Sequence, residues 1–258
     1  MANAEQIRLW NEVSPARWTL MRAQLSRALE PFGRIAMDAV APRPGDLPLD
    51  VGCGFGETTV ELARRCGAAI GVDVSEPFLA IARAEAPPNV RYFRADVQTH
   101  DFEERFDVVY SRFGIMFFED PAAAFANLHR SMRSGARFGA VVWGPPERNE
   151  WAQLPLEVLR RHRPAKDPGT GPGPFGLADA AALEGFLRGA RFADVSVRPL
   201  EHPYEASAEL LVRSGPASAA LREAGAEGER LLPIVEAELR AEAPPLLRAS
   251  VLVVTARA

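Results

Sequence analysis

Gly52, Gly54 and Gly56 alternate with other residues in "LDVGCGFGETT", where an apolar run gives way to an amphipathic one. A glycine loop between a strand and a helix cradles nucleotides, and in open α/β sheets ligands bind outside the carboxyl ends of the strands. Two acids follow at comparable places: Asp73 in "GVDVS", 21 residues beyond Gly52, and Asp96 in "RADVQ". A carboxylate at the first position accepts hydrogen bonds from ribose hydroxyls, and one at the next strand end can accept from an adenine amino group. The dinucleotide fingerprint is G-x-G-x-x-G, and its last position here is Glu57. A carboxylate at a helix N-terminus repels a pyrophosphate yet favours the helix itself. The set suits an adenosine with free ribose hydroxyls and a short zwitterionic tail. An NAD-dependent oxidoreductase is the rival reading, and Glu57 speaks against it.

These residues need a sheet to align them. Seven runs read as strands: Leu47–Val51, Ala68–Val74, Val90–Ala95, Phe106–Ser111, Arg137–Trp143, Asp194–Leu200 and Ser250–Thr255. Several are continuously apolar, as strands covered on both faces are. Helical patterns lie between the first six. The clearest is capped by Asp120, starts at Pro121, places Phe125, Leu128 and Met132 on one face and stops at Gly135. Strand–helix alternation predicts an α/β, Rossmann-like, doubly wound, mostly parallel sheet with helices on both faces. One domain is expected over 1–258. Its parts are a helical N-terminal cap (1–44, anchored by Trp10, Trp18, Leu25 and Phe32), a cofactor-binding core (45–144), a lid or insertion (145–178), and a C-terminal part of the core (179–258) with a helical insertion at 206–242.

Composition removes several classes. The 258 residues carry a net charge of −4, with Lys166 the only lysine. The cluster "LRRHR" lacks the aromatics of a nucleic-acid surface, so no nucleic acid is expected as partner. Cys53 and Cys66 make no disulfide framework, and His100, His129, His162 and His202 have no partners at metal-ligand spacing, so no metal is expected. No signal segment and no long apolar run is visible, which predicts a cytoplasmic protein without a membrane span, as monomer or homodimer.

In order, "LPLDVGCGFGETT", "GVDVS", "RADVQTHDF", "FDVVYSRFGIMFF" and "LHRSMRSGARFGAVVW" resemble the motifs of class I S-adenosylmethionine-dependent methyltransferases, near the ubiquinone-type enzymes of the small-molecule branch. The resemblance spans about residues 45–144 motif by motif. It implies a seven-stranded sheet whose last strand is antiparallel, with S-adenosyl-L-methionine as cofactor and S-adenosyl-L-homocysteine as product. It also implies that Asp50, Gly52, Cys53, Gly54 and Gly56 hold the methionine end, Asp73 the ribose and Val74 the adenine face. Asp96 and the Val97 backbone would read the adenine edge, with Ser111, Arg112 and Phe113 near the sulfonium. Pro48 departs from the usual aliphatic residue and is tolerable only at the start of a strand.

Methyl transfer to a small molecule asks mainly for alignment and exclusion of water. The fourth strand ends in "YSRFG", not in the Asn/Asp-Pro-Pro-aromatic motif of enzymes that methylate nucleobases or amides. Trp18, Phe113, Met116, Phe117, Trp143 and Phe175 are the candidate walls for an apolar or aromatic acceptor, methylated at oxygen, carbon or nitrogen. No residue stands out as a catalytic base; His202 is the nearest candidate, with Glu147 and Glu150 at the start of the lid. A cofactor-binding protein that transfers no methyl group is the remaining alternative.

Overall fold

The computed structural model describes residues 3–258. Its seven strands are β1 (Pro48–Val51), β2 (Ala69–Asp73), β3 (Val90–Arg94), β4 (Phe106–Arg112), β5 (Met132–Trp143), β6 (Ala193–Tyr204) and β7 (Leu247–Arg257). They form one sheet in the order β3-β2-β1-β4-β5-β7-β6. β1 to β5 pair in parallel, and β7 runs antiparallel between β5 and β6. The chain winds outward from β1 to β3, returns to β4 and winds the other way. The crevice between β1 and β4 is therefore the switch point, where the loops leaving two adjacent strands diverge.

Helices cover both faces: α4 (Glu57–Cys66), α5 (Glu76–Ala84), α6 (Pro121–Ser131), α7 (Glu150–Arg160) and α8 (Ala180–Gly189), with α3 (Arg22–Val40) laid across β4, β5 and β7. Val108, Val109 and Tyr110 of β4 are wholly buried, which explains the continuous apolar run. Asp120 caps α6, its Oδ1 accepting from Ala123 N at 3.0 Å, as the sequence predicts. The far end differs: α6 stops at Ser131, and Met132 opens β5 opposite Phe106 instead of continuing the helical face. Pairing with β4 outweighs the helical period there, and Gly135, at φ +76°, turns within the register shift that follows.

β6 and β7 extend beyond the expected runs. Pro199 and Pro203 sit inside β6, which is tolerable because β6 is an edge strand bonded only to β7. Pro48 is the first residue of central β1. The N-terminal segment forms α1 (Ala4–Arg8), a π-helical turn (Leu9–Val13), α2 (Pro15–Leu20) and then α3. Between β6 and β7 lie α9 (Ala208–Arg213), α10 (Gly215–Glu223) and α11 (Ala226–Glu242), with Pro216 in the first turn of α10. Both helical groups stand over the carboxyl edge of the sheet and share one cavity there. Among the described residues no helix is long and apolar enough to cross a membrane.

Candidate functional site

At the switch point β1 and β4 end backbone against backbone. Ser111 Oγ donates to Val51 O at 2.8 Å and accepts from Gly114 N at 3.2 Å. A Cβ on Gly52 would lie 2.7 Å from Gly114 Cα, so only glycine fits this seam. The seam floors a cavity of about 210 Å³. Gly52, Cys53 and Gly54 face it, and a side chain on Gly54 would meet nothing within 4 Å. Gly56 instead turns its back: it is the N-cap of α4, a Cβ there would collide with the Tyr92 hydroxyl, and that hydroxyl donates to Gly56 O at 3.0 Å.

Asp50 also stands behind the wall. It is wholly buried and accepts from Thr58 Oγ1 at 2.6 Å and Thr59 Oγ1 at 2.7 Å, while its Oδ1 has no partner among the described residues. Burial pushes its carboxyl up to about 6. Of the expected cofactor contacts, Asp50, Gly56 and Ser111 are thus not on the cavity surface; they fix the shape of the loop that is. Desolvation likewise holds the Cys53 thiol well above its usual range, so it is no nucleophile.

The two strand-end acids do reach the cavity, with Val74 and Val97 beside them. Asp73 Oδ2 accepts from Gly54 N at 2.8 Å and Oδ1 from Ser75 N at 2.9 Å. Each oxygen keeps acceptor capacity, and burial raises the carboxyl above its ordinary value. Asp96 is held by Gln98, whose backbone N and Nε2 both donate at 3.1 Å. Over this end lies α1. Asn3 Oδ1 and Gln6 Oε1 are buried, lack partners among the described residues and belong to residues that line the cavity. The roof is latched by Ser75 Oγ, which donates to Trp10 O at 2.6 Å, and by Asn11 Nδ2, which donates to Val74 O at 3.0 Å. The Trp10 ring meets Trp18 and Phe117 edge-on, each at 5.1 Å.

Charges of both signs stand at the glycine-loop end. Glu57, on the cavity surface, pairs with Arg22 at 3.0 Å and Arg112 at 3.6 Å; Arg22 also bonds Glu85 through two nitrogens, each at 2.7 Å. Arg22 and Arg112 line the cavity as well.

The ends of β4, β5 and β6 make the other half, and it is aromatic. Phe113, at φ +58°, stacks on Trp143 at 4.2 Å. A bulky residue in the left-handed region is strained, and such strain gathers at functional sites. Trp151 and Tyr204 pack against Trp143 at 4.7 and 5.8 Å. The Tyr204 side chain is buried, no described residue hydrogen-bonds its hydroxyl, and desolvation alone lifts its pKa above the usual phenol value.

Of the candidate acceptor walls, Trp18, Phe113, Met116, Phe117 and Trp143 line the cavity, and Phe175 does not. Phe175 is buried behind Trp151, stacked at 5.6 Å, and its neighbour Pro174 takes the wall position. His202 does not line the cavity either: its ring rests on Phe32 at 5.2 Å, with Nδ1 2.7 Å from Pro203 O. Glu150 is tied to Arg248. Trp151 and Tyr204 escaped the sequence reading. Tyr204 carried a signal, since it lies two residues beyond His202 and so on the same face of β6.

Comparison with known proteins agrees with this geometry. A family model described as "Methyltransferase domain" matches residues 49–139. The chain is 34% identical over 205 residues to nocamycin O-methyltransferase of Saccharothrix syringae, covering 70% of this chain and 72% of that protein. It is 30% identical to the demethylmenaquinone methyltransferase of Thermus thermophilus, covering 60% of this chain and 74% of the other. Among solved structures, the YcgJ protein of Bacillus subtilis superposes with a TM-score of 0.59 at 15% identity, covering 90% of this chain and 97% of that one, a likeness of fold.

Proposed function

This chain belongs to the class I S-adenosylmethionine-dependent methyltransferases, and we propose that it methylates an oxygen, carbon or nitrogen of an apolar or aromatic small molecule. The observation that carries the reading is the division of one cavity into two halves: glycine loop and strand-end acids on one side, stacked aromatics on the other.

When bound, the cofactor supplies an electrophilic methyl group on a positively charged sulfur. The residues on the wall fit it. Asp73 holds the ribose hydroxyls with the acceptor capacity left by Gly54 and Ser75. Asp96 and the Val97 backbone read the adenine edge, and Val74 packs on its face. The unpartnered oxygens of Asn3 and Gln6 add acceptors at that end. Gly52, Cys53 and Gly54 approach the methionine end. Glu57 and Arg22, of opposite charge, suit its ammonium and carboxylate. Phe113 and Arg112 stand between the halves.

On the acceptor side the chain's task is orientation and dryness. Trp143, Trp151, Phe113 and Met116 exclude water, and the N-terminal helices roof the cavity. Tyr204 remains a neutral phenol at physiological pH, because its pKa is raised, so it serves as a hydrogen-bond donor to the acceptor and not as a base. Among the described residues no histidine lines the cavity. This favours acceptors that need little proton removal, with alignment supplying most of the rate.

The test is direct. Titration calorimetry with S-adenosylhomocysteine should show binding, and Asp73→Ala should weaken it by about 1–3 kcal/mol, the scale for hydrogen bonds involving a charge. Unchanged affinity refutes the ribose assignment. Release of labelled methyl groups into aromatic metabolite fractions then separates transfer from mere cofactor binding.

A further inference from the structure

Arg17 in α2 and Arg222 in α10 both donate to a single hydroxyl, Ser218 Oγ, at 3.1 and 2.9 Å. Ser218 is buried, and the Arg17 Nε is buried with no hydrogen-bond partner among the described residues. Neither guanidinium pairs with a carboxylate among the described residues, whereas nearby Arg163 pairs with Glu227 and Arg213 with Glu209 and Glu236. Two cations that share one neutral acceptor repel, and a cation taken out of water without a counter-charge is unfavourable. Burial, and after it the proximity of Arg222, lowers Arg17 to about 10.

The pair lies beside the acceptor half. Ser218 lies in the first turn of α10, three residues beyond Gly215 and just past the N-cap Ser214. Ser214, Gly215 and Trp18, the neighbour of Arg17, line the cavity, and a side chain on Gly215 would run into the Trp151 ring. Arg222 is exposed, so the group opens to solvent on its outer side.

We propose that Arg17, Ser218 and Arg222 form an oxyanion site at the edge of the acceptor half, which takes a carboxylate or phosphate group carried by the methyl acceptor. Guanidinium forks match the spacing of such oxygens, and the anion supplies the counter-charge the fold omits. The aromatic walls then hold the body of the acceptor and the arginines its charged end. The assignment of the anion to the acceptor rests on the methyltransferase reading of the cavity.

The experiment compares thermal stability and calorimetric binding with three probes: trans-cinnamate, cinnamyl alcohol and inorganic phosphate, each against chloride at equal ionic strength. Ligands that bind the folded state raise its melting temperature with concentration. Trans-cinnamate should bind about tenfold or more tightly than cinnamyl alcohol, the margin of a charge-assisted contact. Arg222→Gln should abolish that margin while leaving stability in chloride equal or higher, because it relieves repulsion. Stabilisation by cinnamate alone assigns the site to a carboxylate on an apolar body. Stabilisation by phosphate as well assigns it to oxyanions generally, phosphorylated acceptors included. Equal binding of acid and alcohol, or an Arg222→Gln protein that keeps the wild-type preference, overturns the proposal. Arg222 is exposed, so its variant serves even where Arg17→Gln does not fold. S-adenosylhomocysteine is titrated separately: its failure to bind would sink the cofactor reading, whereas the anion test stands without it.

Discussion

Gly54 and Gly56 are two residues apart and both left-handed, at φ +55° and +89°, yet the structure gives them different tasks. Alanine at either position should therefore damage different properties. At Gly54, which lines the cavity, the added methyl meets no atom within 4 Å. The left-handed backbone costs an L-residue roughly 1–2 kcal/mol, partly offset by the stiffer unfolded chain, about 0.4–1 kcal/mol. Gly54→Ala should thus lose about 1 kcal/mol of stability. Its methyl occupies space that the cofactor needs, and S-adenosylhomocysteine should bind on the order of a hundredfold more weakly, about 2.7 kcal/mol at 1.36 kcal/mol per decade. At Gly56 the same backbone term applies, but the methyl overlaps the Tyr92 hydroxyl and displaces its bond to Gly56 O. Overpacking adds about 1–3 kcal/mol and the lost hydrogen bond about 1 kcal/mol, for a total of about 3–5 kcal/mol. Urea unfolding measures the first quantity and titration calorimetry the second. Gly54→Ala binding S-adenosylhomocysteine like the wild type would refute the placement of the cofactor against this loop. Gly56→Ala with native stability would refute the packing of Tyr92.

Tyr204→Phe should cut methyl transfer about two- to tenfold, the worth of one neutral hydrogen bond, and leave both stability and S-adenosylhomocysteine affinity unchanged because the hydroxyl has no partner among the described residues. A drop in stability would instead make Tyr204 a structural residue. Asp50 gives a pH signature. Its folded pKa, about 6, lies above the ordinary aspartate value of 3.8, so the folded state binds the proton more tightly and loses stability as pH rises through that window. The loss approaches about 3 kcal/mol between pH 3.5 and pH 7 and should vanish in Asp50→Asn. Parallel stability curves for the two proteins across that range would show that Asp50 does not titrate there.

The sheet was legible in the sequence because burial on both faces leaves a local mark. "FDVVYS", "FGAVVW" and "SVLVVT" are dominated by apolar residues, and most of their residues are buried. Asp73 and Asp96 were legible for a related reason. A polar residue at the end of such a run stands at the sheet's carboxyl edge, and parallel pairing brings those edges together. Where the local mark and the tertiary pairing disagree, the pairing prevails: Met132 fits the helical face of α6 and joins β5, whose partners lie on either side. Boundaries of β6 were lost to its prolines, harmless only because the strand is at the edge, a fact that no local pattern carries.

Which loop residues face a cavity is harder still, since it depends on a single backbone turn. Asp50, Gly56 and Ser111 belong to the same short motifs as Gly54 and Phe113, but one or two residues reverse the direction of the side chain. Phe175 shows the limit of reasoning from composition. An aromatic in a proline-glycine stretch looks like a ligand contact, yet the stretch folds inward and Phe175 stacks under Trp151, leaving that tryptophan to face the cavity. The acceptor half is assembled from α2, β4, β5, α7, β6 and the start of α10, from Trp18 to Gly215. No spacing rule spans that distance. The uncompensated arginines beside it become visible only when α2 and α10 are brought together, because each alone is an ordinary charged residue on a short helix.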